Sequence, residues 1–161
     1  MTLYHGSLEQ VTAPEIRVPN RTLDYGAGFY ATTSFKQAEE WVRRRMRETL
    51  SDKGYVNEYA LDTELLDHLI CLFFDSPTED WLDFVMRNRT ERNFTHDYDV
   101  VYGPVTNDKV YAAFALYEGG LLNKQNLIAE LRTYKLVDQY LFHTPKALET
   151  ITFIKAKEIL L

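Results

Sequence analysis

The sequence predicts a single α+β domain over residues 1–161, built on a split, mostly antiparallel sheet with helical insertions. Two observations carry this. Strand-like stretches do not alternate regularly with helical ones, so a doubly wound parallel sheet is not expected, and the helices fall between strands as insertions. The length, with 45% apolar and 26% charged residues and no internal repeat, low-complexity segment or linker, suits one well-buried core.

The elements follow in order. Residues 3–7 (Leu-Tyr-His-Gly-Ser) form a short strand ending at Gly6. Residues 8–22 carry Pro14 and Pro19 with weak periodicity and read as a loop, with one helical turn after Ser7. Gly26-Ala27-Gly28 is a tight turn feeding a strand over residues 29–32. Ser34 and Gln37 form a capping box for a helix to about Leu50, whose inward face is Phe35, Ala38, Trp41, Val42 and Met46. Arg43, Arg44, Arg45 and Arg47 spread round much of that helix and read as its solvated side, with favourable charges near its C-terminus.

After a turn at 51–54, residues 55–61 alternate apolar with polar as a strand. Residues 62–75 fit either a short helix or a buried strand. Pro77 opens a helix to about Arg89, with Trp81, Leu82, Phe84, Val85 and Met86 on its apolar side. Residues 90–97 read as a polar loop, and His96, Asp97 and Asp99 as solvated groups rather than a metal site. Residues 99–105 form a short buried strand closed by Gly103-Pro104. Asn107 or Asp108 caps a helix stopped by Gly119-Gly120, and Asn123 starts another to about Thr133. Residues 139–143 and 151–155 are strands, separated by a short helix begun by Thr144-Pro145.

Composition narrows the function. The net charge of −6 argues against tight non-specific nucleic-acid binding, which depends on neutralising phosphates. Aromatics reach 14%, with 11 Tyr and 9 Phe, a composition suited to both core and binding surface. The one cysteine, Cys71, lies in an apolar run and reads as buried. No apolar run is long enough to span a bilayer and no signal peptide is recognisable, so a cytoplasmic protein is expected.

Tyr4-His5-Gly6-Ser7 and Tyr25-Gly26-Ala27-Gly28-Phe29-Tyr30-Ala31 resemble the first two motifs of ADP-ribosyltransferases of the diphtheria-toxin and poly(ADP-ribose) polymerase branch. That branch carries a His, a Tyr and usually a Glu on three strands. Over most of its length the chain is similar to a little-characterised bacterial family of predicted ADP-ribosyltransferase-like proteins. This wider similarity adds Trp81-Leu82-Asp83-Phe84, residues 98–105 and Asp138-Gln139.

The resemblance implies a split sheet that holds NAD, as substrate, in the cleft between its halves. It implies that His5, Tyr30 and Gln139 form the catalytic set, and that His5, Gly6, Ser7, Gly28, Phe29 and Tyr30 contact the dinucleotide. His5 would hydrogen-bond the adenosine-side ribose, the Gly6 backbone the nicotinamide amide, and Tyr30 would stack on the nicotinamide ring. Trp41, one turn into the following helix, is a second candidate to flank that ring, but its helical spacing favours core packing. Ser7 either contributes its hydroxyl or caps the turn.

The chain departs from the branch at its third position, where Gln139 stands in place of Glu. A glutamine can hydrogen-bond a ribose hydroxyl but supplies neither a general base nor a negative charge. The acceptor is then already nucleophilic, or Asp138 or Glu149 substitutes, or the protein binds NAD without turnover. The expected activity is NAD-dependent mono-ADP-ribosyl transfer to a macromolecular or small-molecule acceptor. The resemblance also suggests a bacterial toxin or effector held in check by a small antitoxin-like protein partner. A catalytically inactive NAD- or ADP-ribose-binding module and a protein-interaction domain are the alternatives.

Overall fold

The structure, a computed structural model, describes residues 1–105 and 108–161, so the expected cap at Asn107 lies outside the described residues, and Asp108 is the first residue of the helix that follows. Two sheets face each other. The first runs β1 (Thr2–Ser7), β3 (Lys53–Leu61), β7 (Ile151–Leu160), all antiparallel. The second has the order β2 (Phe29–Ala31), β6 (Asp138–Phe142), β5 (Val100–Pro104), β4 (Cys71–Phe73), antiparallel except for the parallel β4–β5 pair. The predicted split, mostly antiparallel α+β architecture is therefore present, and the sheets do not close into a barrel.

Packing between the sheets is aromatic. Leu3, Tyr59 and Ile151 from the first sheet meet Phe29, Tyr140 and Phe142 from the second. The outer face of the first sheet is covered by α1 (Phe35–Thr49), whose Ala38, Val42 and Met46 pack on Val56 and Ile159. The outer face of the second is covered by α2 (Glu79–Thr90), α3 (Asp108–Glu118) and α4 (Lys124–Arg132) around Tyr25, Trp81, Phe114, Leu127 and Leu141. Among the described residues no helix is long and apolar enough to cross a membrane.

The helix starts follow local chemistry. Ser34, Thr78, Asn123 and Thr144 each accept a backbone N–H from three residues ahead, the last for α5 (Pro145–Leu148). Residues 62–75 contain both of the predicted alternatives: a 3₁₀ turn at Thr63–His68, capped by Asp62, and then β4. β7 runs five residues beyond the predicted strand, and its pairing with β3 shifts register opposite Glu58 and Tyr59.

Four expectations are corrected. No helical turn follows Ser7. Asn57 instead donates to the Glu9 carbonyl (3.2 Å) and accepts from the Val11 N–H (2.9 Å), while the Tyr59 hydroxyl donates to the Val11 carbonyl (2.6 Å), which holds the chain extended. Trp41 is 38% exposed rather than core, because α1 meets the sheet along Ala38, Val42 and Met46 and leaves its next ridge at an open edge. The arginines are not equivalent: Arg43 pairs with Glu39 (2.8 Å) and Arg45 with Glu48 (2.9 Å), whereas Arg44 borders a cleft. His96 is half-buried and Asp99 is structural, its carboxylate accepting the Ile70 N–H (2.9 Å) and the Thr144 hydroxyl (2.7 Å).

Candidate functional site

The two sheets touch at one bridge and then part. The Tyr4 N–H donates to the Thr32 carbonyl (2.8 Å) and the Thr32 N–H returns the bond to Tyr4 (2.9 Å). Backbone groups on a strand alternate between its edges, so the N–H and C=O of Gly6, two residues on, point the same way as those of Tyr4. They face the gap that opens beyond the bridge. A cleft of about 1270 Å³ begins there, larger than the roughly 300–1,000 Å³ of most small-molecule sites.

Gly6 itself is set by the helix behind it. A Cβ at Gly6 would stand 2.5 Å from the Ala38 carbonyl oxygen and 2.8 Å from Val42 Cγ2. The close crossing of α1 thus requires glycine, independently of any ligand. Ser7, at the end of β1, also borders the cleft, and its hydroxyl accepts the Glu9 N–H at 3.3 Å.

His5 fills the space where the strands diverge. Its Nδ1 lies 2.7 Å from the Tyr30 carbonyl, and its ring packs on Phe29 with centroids 4.3 Å apart. A carbonyl only accepts, so Nδ1 carries the proton and Nε2 keeps a lone pair for a donor from the cleft. Burial pushes the His5 pKa down to about 4, against the opposing effect of the Tyr30 bond, with nearby Arg17 adding a little in the same direction as burial. The ring is therefore neutral at pH 7.

This depression has a consequence for stability. A histidine held neutral in the fold contributes fully above its unfolded pKa near 6.5, and the contribution is lost as pH falls from there to about 4. The loss amounts to at most about 3 kcal/mol. Urea midpoints measured from pH 7 to pH 4 are expected to fall less steeply for His5→Gln than for the wild type over that window.

Tyr30 sits on β2 next to the glycine turn. Its hydroxyl donates to the Gly26 carbonyl (2.6 Å) and accepts the Tyr25 N–H (3.2 Å), which fixes the ring at the cleft wall. Burial holds the hydroxyl protonated, with its pKa well above the ordinary tyrosine value. Gly28 borders the cleft, but its conformation answers to the neighbouring strand. It has φ of +150°, and a Cβ there would stand 2.4 Å from the Phe142 carbonyl oxygen. Phe29 is 6% exposed and buttresses His5.

Gln139 also lines the cleft, from the start of β6, and is 8% exposed. Its Nε2 lies 3.5 Å from the Pro104 carbonyl. Below it the Tyr25 hydroxyl donates to the same carbonyl (2.9 Å) and accepts from Trp81 Nε1 (2.8 Å). His5, Gly6, Ser7, Gly28, Phe29, Tyr30 and Gln139, drawn from three separated stretches of sequence, thus border one cleft.

The two substitute carboxylates do not join them. Successive residues of a strand face opposite ways, and Asp138 faces away from Gln139. It accepts the Thr33 N–H (2.9 Å) and hydroxyl (2.8 Å), the Thr32 hydroxyl (3.2 Å) and the Tyr102 hydroxyl (3.3 Å). Glu149 is exposed at the end of α5.

Other residues border the cleft that sequence reasoning left out. Trp41 does so from α1, with the Arg21 guanidinium 6.0 Å from its ring centre. On the opposite wall Asp24 and Arg89 pair at 3.2 Å, both largely buried, and Arg89 Nε stands 3.7 Å from Glu118. That Nε is sealed from solvent without a hydrogen-bond partner among the described residues. Tyr111, 42% exposed, packs against the same guanidinium. Asp24 lies within the glycine-turn stretch and could have been picked out there; Arg89 carries no local signal.

The family model described as protein of unknown function (DUF3990) matches residues 1–153. No curated protein and no solved structure matches the chain.

Proposed function

The chain belongs to the DUF3990 family, and we propose that it is an NAD-dependent mono-ADP-ribosyltransferase. The observation that carries this reading is the meeting of His5 Nε2, the free edge of Gly6 and the fixed ring of Tyr30 at one cleft large enough for a dinucleotide. Nicotinamide is a flat cation with a carboxamide. It stacks on Tyr30 while its amide pairs with the N–H and C=O of Gly6. His5 Nε2 accepts from a ribose hydroxyl. Arg44, which borders the same cleft, suits the diphosphate.

In the reaction the C–N bond between ribose C1′ and the nicotinamide nitrogen breaks. Its electron pair stays on nicotinamide, which leaves neutral without needing a proton. C1′ passes through an oxocarbenium-like state and forms its new bond to the acceptor, whose proton goes to solvent. The protein's share is to hold the conformation and orient the two partners. Gln139 holds a ribose hydroxyl and contributes no base, so the acceptor is one that attacks without strong deprotonation.

One observation favours a second reading, an NAD-binding module without turnover. The Gln139 amide already donates to the Pro104 carbonyl, and the neighbouring Asp138 faces elsewhere. Mass spectrometry of nicotinamide released from labelled NAD separates the two readings. Transferase activity requires turnover above the background of Tyr30→Ala; equal rates leave binding only. Gln139→Glu is expected to raise release roughly tenfold to a hundredfold by adding a negative charge and a base beside the ribosyl cation. An unchanged rate places residue 139 outside the reaction.

A further inference from the structure

Two histidines with no part in the chemistry above lie under the glycine turn. His96 Nε2 stands 2.7 Å from the Tyr25 carbonyl, and His143 Nδ1 stands 2.5 Å from the Ala27 carbonyl. Their rings stack with centroids 4.2 Å apart and planes 36° from parallel. Between those carbonyls is that of Gly26, which takes the Tyr30 hydroxyl at 2.6 Å. Three successive carbonyls of one turn are thus held by His96, Tyr30 and His143, contributed from three distant parts of the chain.

The hydrogen bonds fix the protonation of His96. Its Nε2 faces a carbonyl and carries a proton, while its Nδ1 accepts the Tyr98 N–H at 3.2 Å. Only the neutral ring makes both bonds. A second proton on Nδ1 would face the Tyr98 N–H and break that bond, and two charged rings at this stacking distance would repel.

We propose that His96 and His143 are positioning residues for Tyr30: they clamp the carbonyls on either side of Gly26, aim the Gly26 carbonyl at the Tyr30 hydroxyl, and release that alignment when His96 charges in mild acid. The clamp is built in. A Cβ at Gly26 would stand 3.2 Å from Asn88 Oδ1 and 3.3 Å from His96 Nε2, so the turn is seated directly on these side chains. Asn88 is 6% exposed and held by the Phe84 carbonyl.

The groups facing His96 favour its neutral state. Phe84 and Tyr98 pack their rings on His96, from α2 and from the loop before β5. Burial, with His143 beside it, lowers the His96 pKa against the opposing pull of the Tyr25 bond and the Asp97 charge. On the His143 side the Asp99 carboxylate accepts the Ile70 N–H and the Thr144 hydroxyl and feels the charges of Lys146 and His143. Release therefore falls on the acid side of the usual histidine range.

The link from the histidines to Tyr30 can be read without a ligand; its effect on NAD rests on the function proposed above. In protein with ¹³C-labelled tyrosine and histidine rings, the Tyr30 ring signals, assigned with Tyr30→Phe, are expected to move between pH 7.5 and 5 with the midpoint of the His96 signals. In His96→Gln, which keeps a donor toward Tyr25 but does not titrate, that movement is expected to shrink. Calorimetric NAD titrations are expected to show affinity falling roughly tenfold over the same range in the wild type, the equivalent of one aligned hydrogen bond. In His96→Gln the ratio should fall within about twofold of unity.

Tyr30 signals that stay constant in the wild type while His96 titrates overturn the proposal. An equal movement in His96→Gln overturns it as well. If Tyr30 follows His96 but NAD binds at neither pH, the clamp stands and the NAD reading fails.

Discussion

Gly28→Ala is expected to lower stability by about 3 kcal/mol or more, the largest loss from adding a single methyl group at any glycine of the glycine turn. Two effects add. The residue holds φ at +150°, where an L side chain costs roughly 1–2 kcal/mol. The new Cβ would also stand 2.4 Å from the Phe142 carbonyl oxygen and 2.6 Å from Leu141 Cδ1, overpacking that costs about 1–3 kcal/mol. The oxygen belongs to the backbone of β6 and cannot turn aside, so β2 must move away from β6. Gly120→Ala is the control. It has φ of +76° with no atom within 4 Å of the new Cβ, and is expected to cost only about 1 kcal/mol. Thermal unfolding followed by circular dichroism should place Gly28→Ala roughly 6–12 °C below the wild type. Equal shifts in the two variants would mean that β2 and β6 are not packed as described.

The second large effect is functional. The His5→Ala/Tyr30→Ala variant is expected to release nicotinamide from NAD roughly a hundredfold more slowly than the wild type. Stacking of a flat ring on an aromatic is worth roughly 1–3 kcal/mol, and one hydrogen bond to a ribose hydroxyl about 0.5–1.5 kcal/mol. Together they amount to about 3 kcal/mol, or about two powers of ten. His5 also braces the strands through Tyr30 and Phe29, so circular dichroism of the variant must show a wild-type fold before the rate is read. A folded variant with the wild-type rate removes both residues from the reaction.

Much of the fold was legible because its signals are local. Ser34 with Gln37, Thr78, Asn123 and Thr144 each mark a helix start through a hydrogen bond made within three residues. The glycine turn, too, shows in two glycines, Gly26 and Gly28, four and two residues before the strand's centre at Tyr30, and both hold positive φ. Features that depend on distant partners were not legible. A three-residue strand such as β4 exists because β5, nearly thirty residues later, pairs with it in parallel. Trp41 shares the apolar period of α1, but period alone does not say how far the sheet extends under the helix. It stops short, and Trp41 borders the cleft instead.

The site divides along the same line. His5, Gly6 and Tyr30 stand in compact motifs, and the structure brings them with Gln139 to one cleft. The reasons for some of these residues differ from those the motifs suggest. Gly6 answers to the crossing of α1, and Gly28 to the approach of β6. Asp138 could not be placed from sequence, since the alternation that turns Gln139 inward turns its neighbour toward Thr33. His96 in a polar stretch reads as solvated until His143 and the Tyr25 carbonyl are seen against it.

The most direct test of the proposed NAD site is a calorimetric titration of NAD into the wild-type protein and into the His5→Ala/Tyr30→Ala variant at pH 7.5. Saturable binding with a Kd of roughly 1 mM or tighter is expected for the wild type, and none for the folded variant. Absence of binding to the wild type at millimolar NAD, or equal binding to both proteins, would contradict the assignment of this cleft to the dinucleotide.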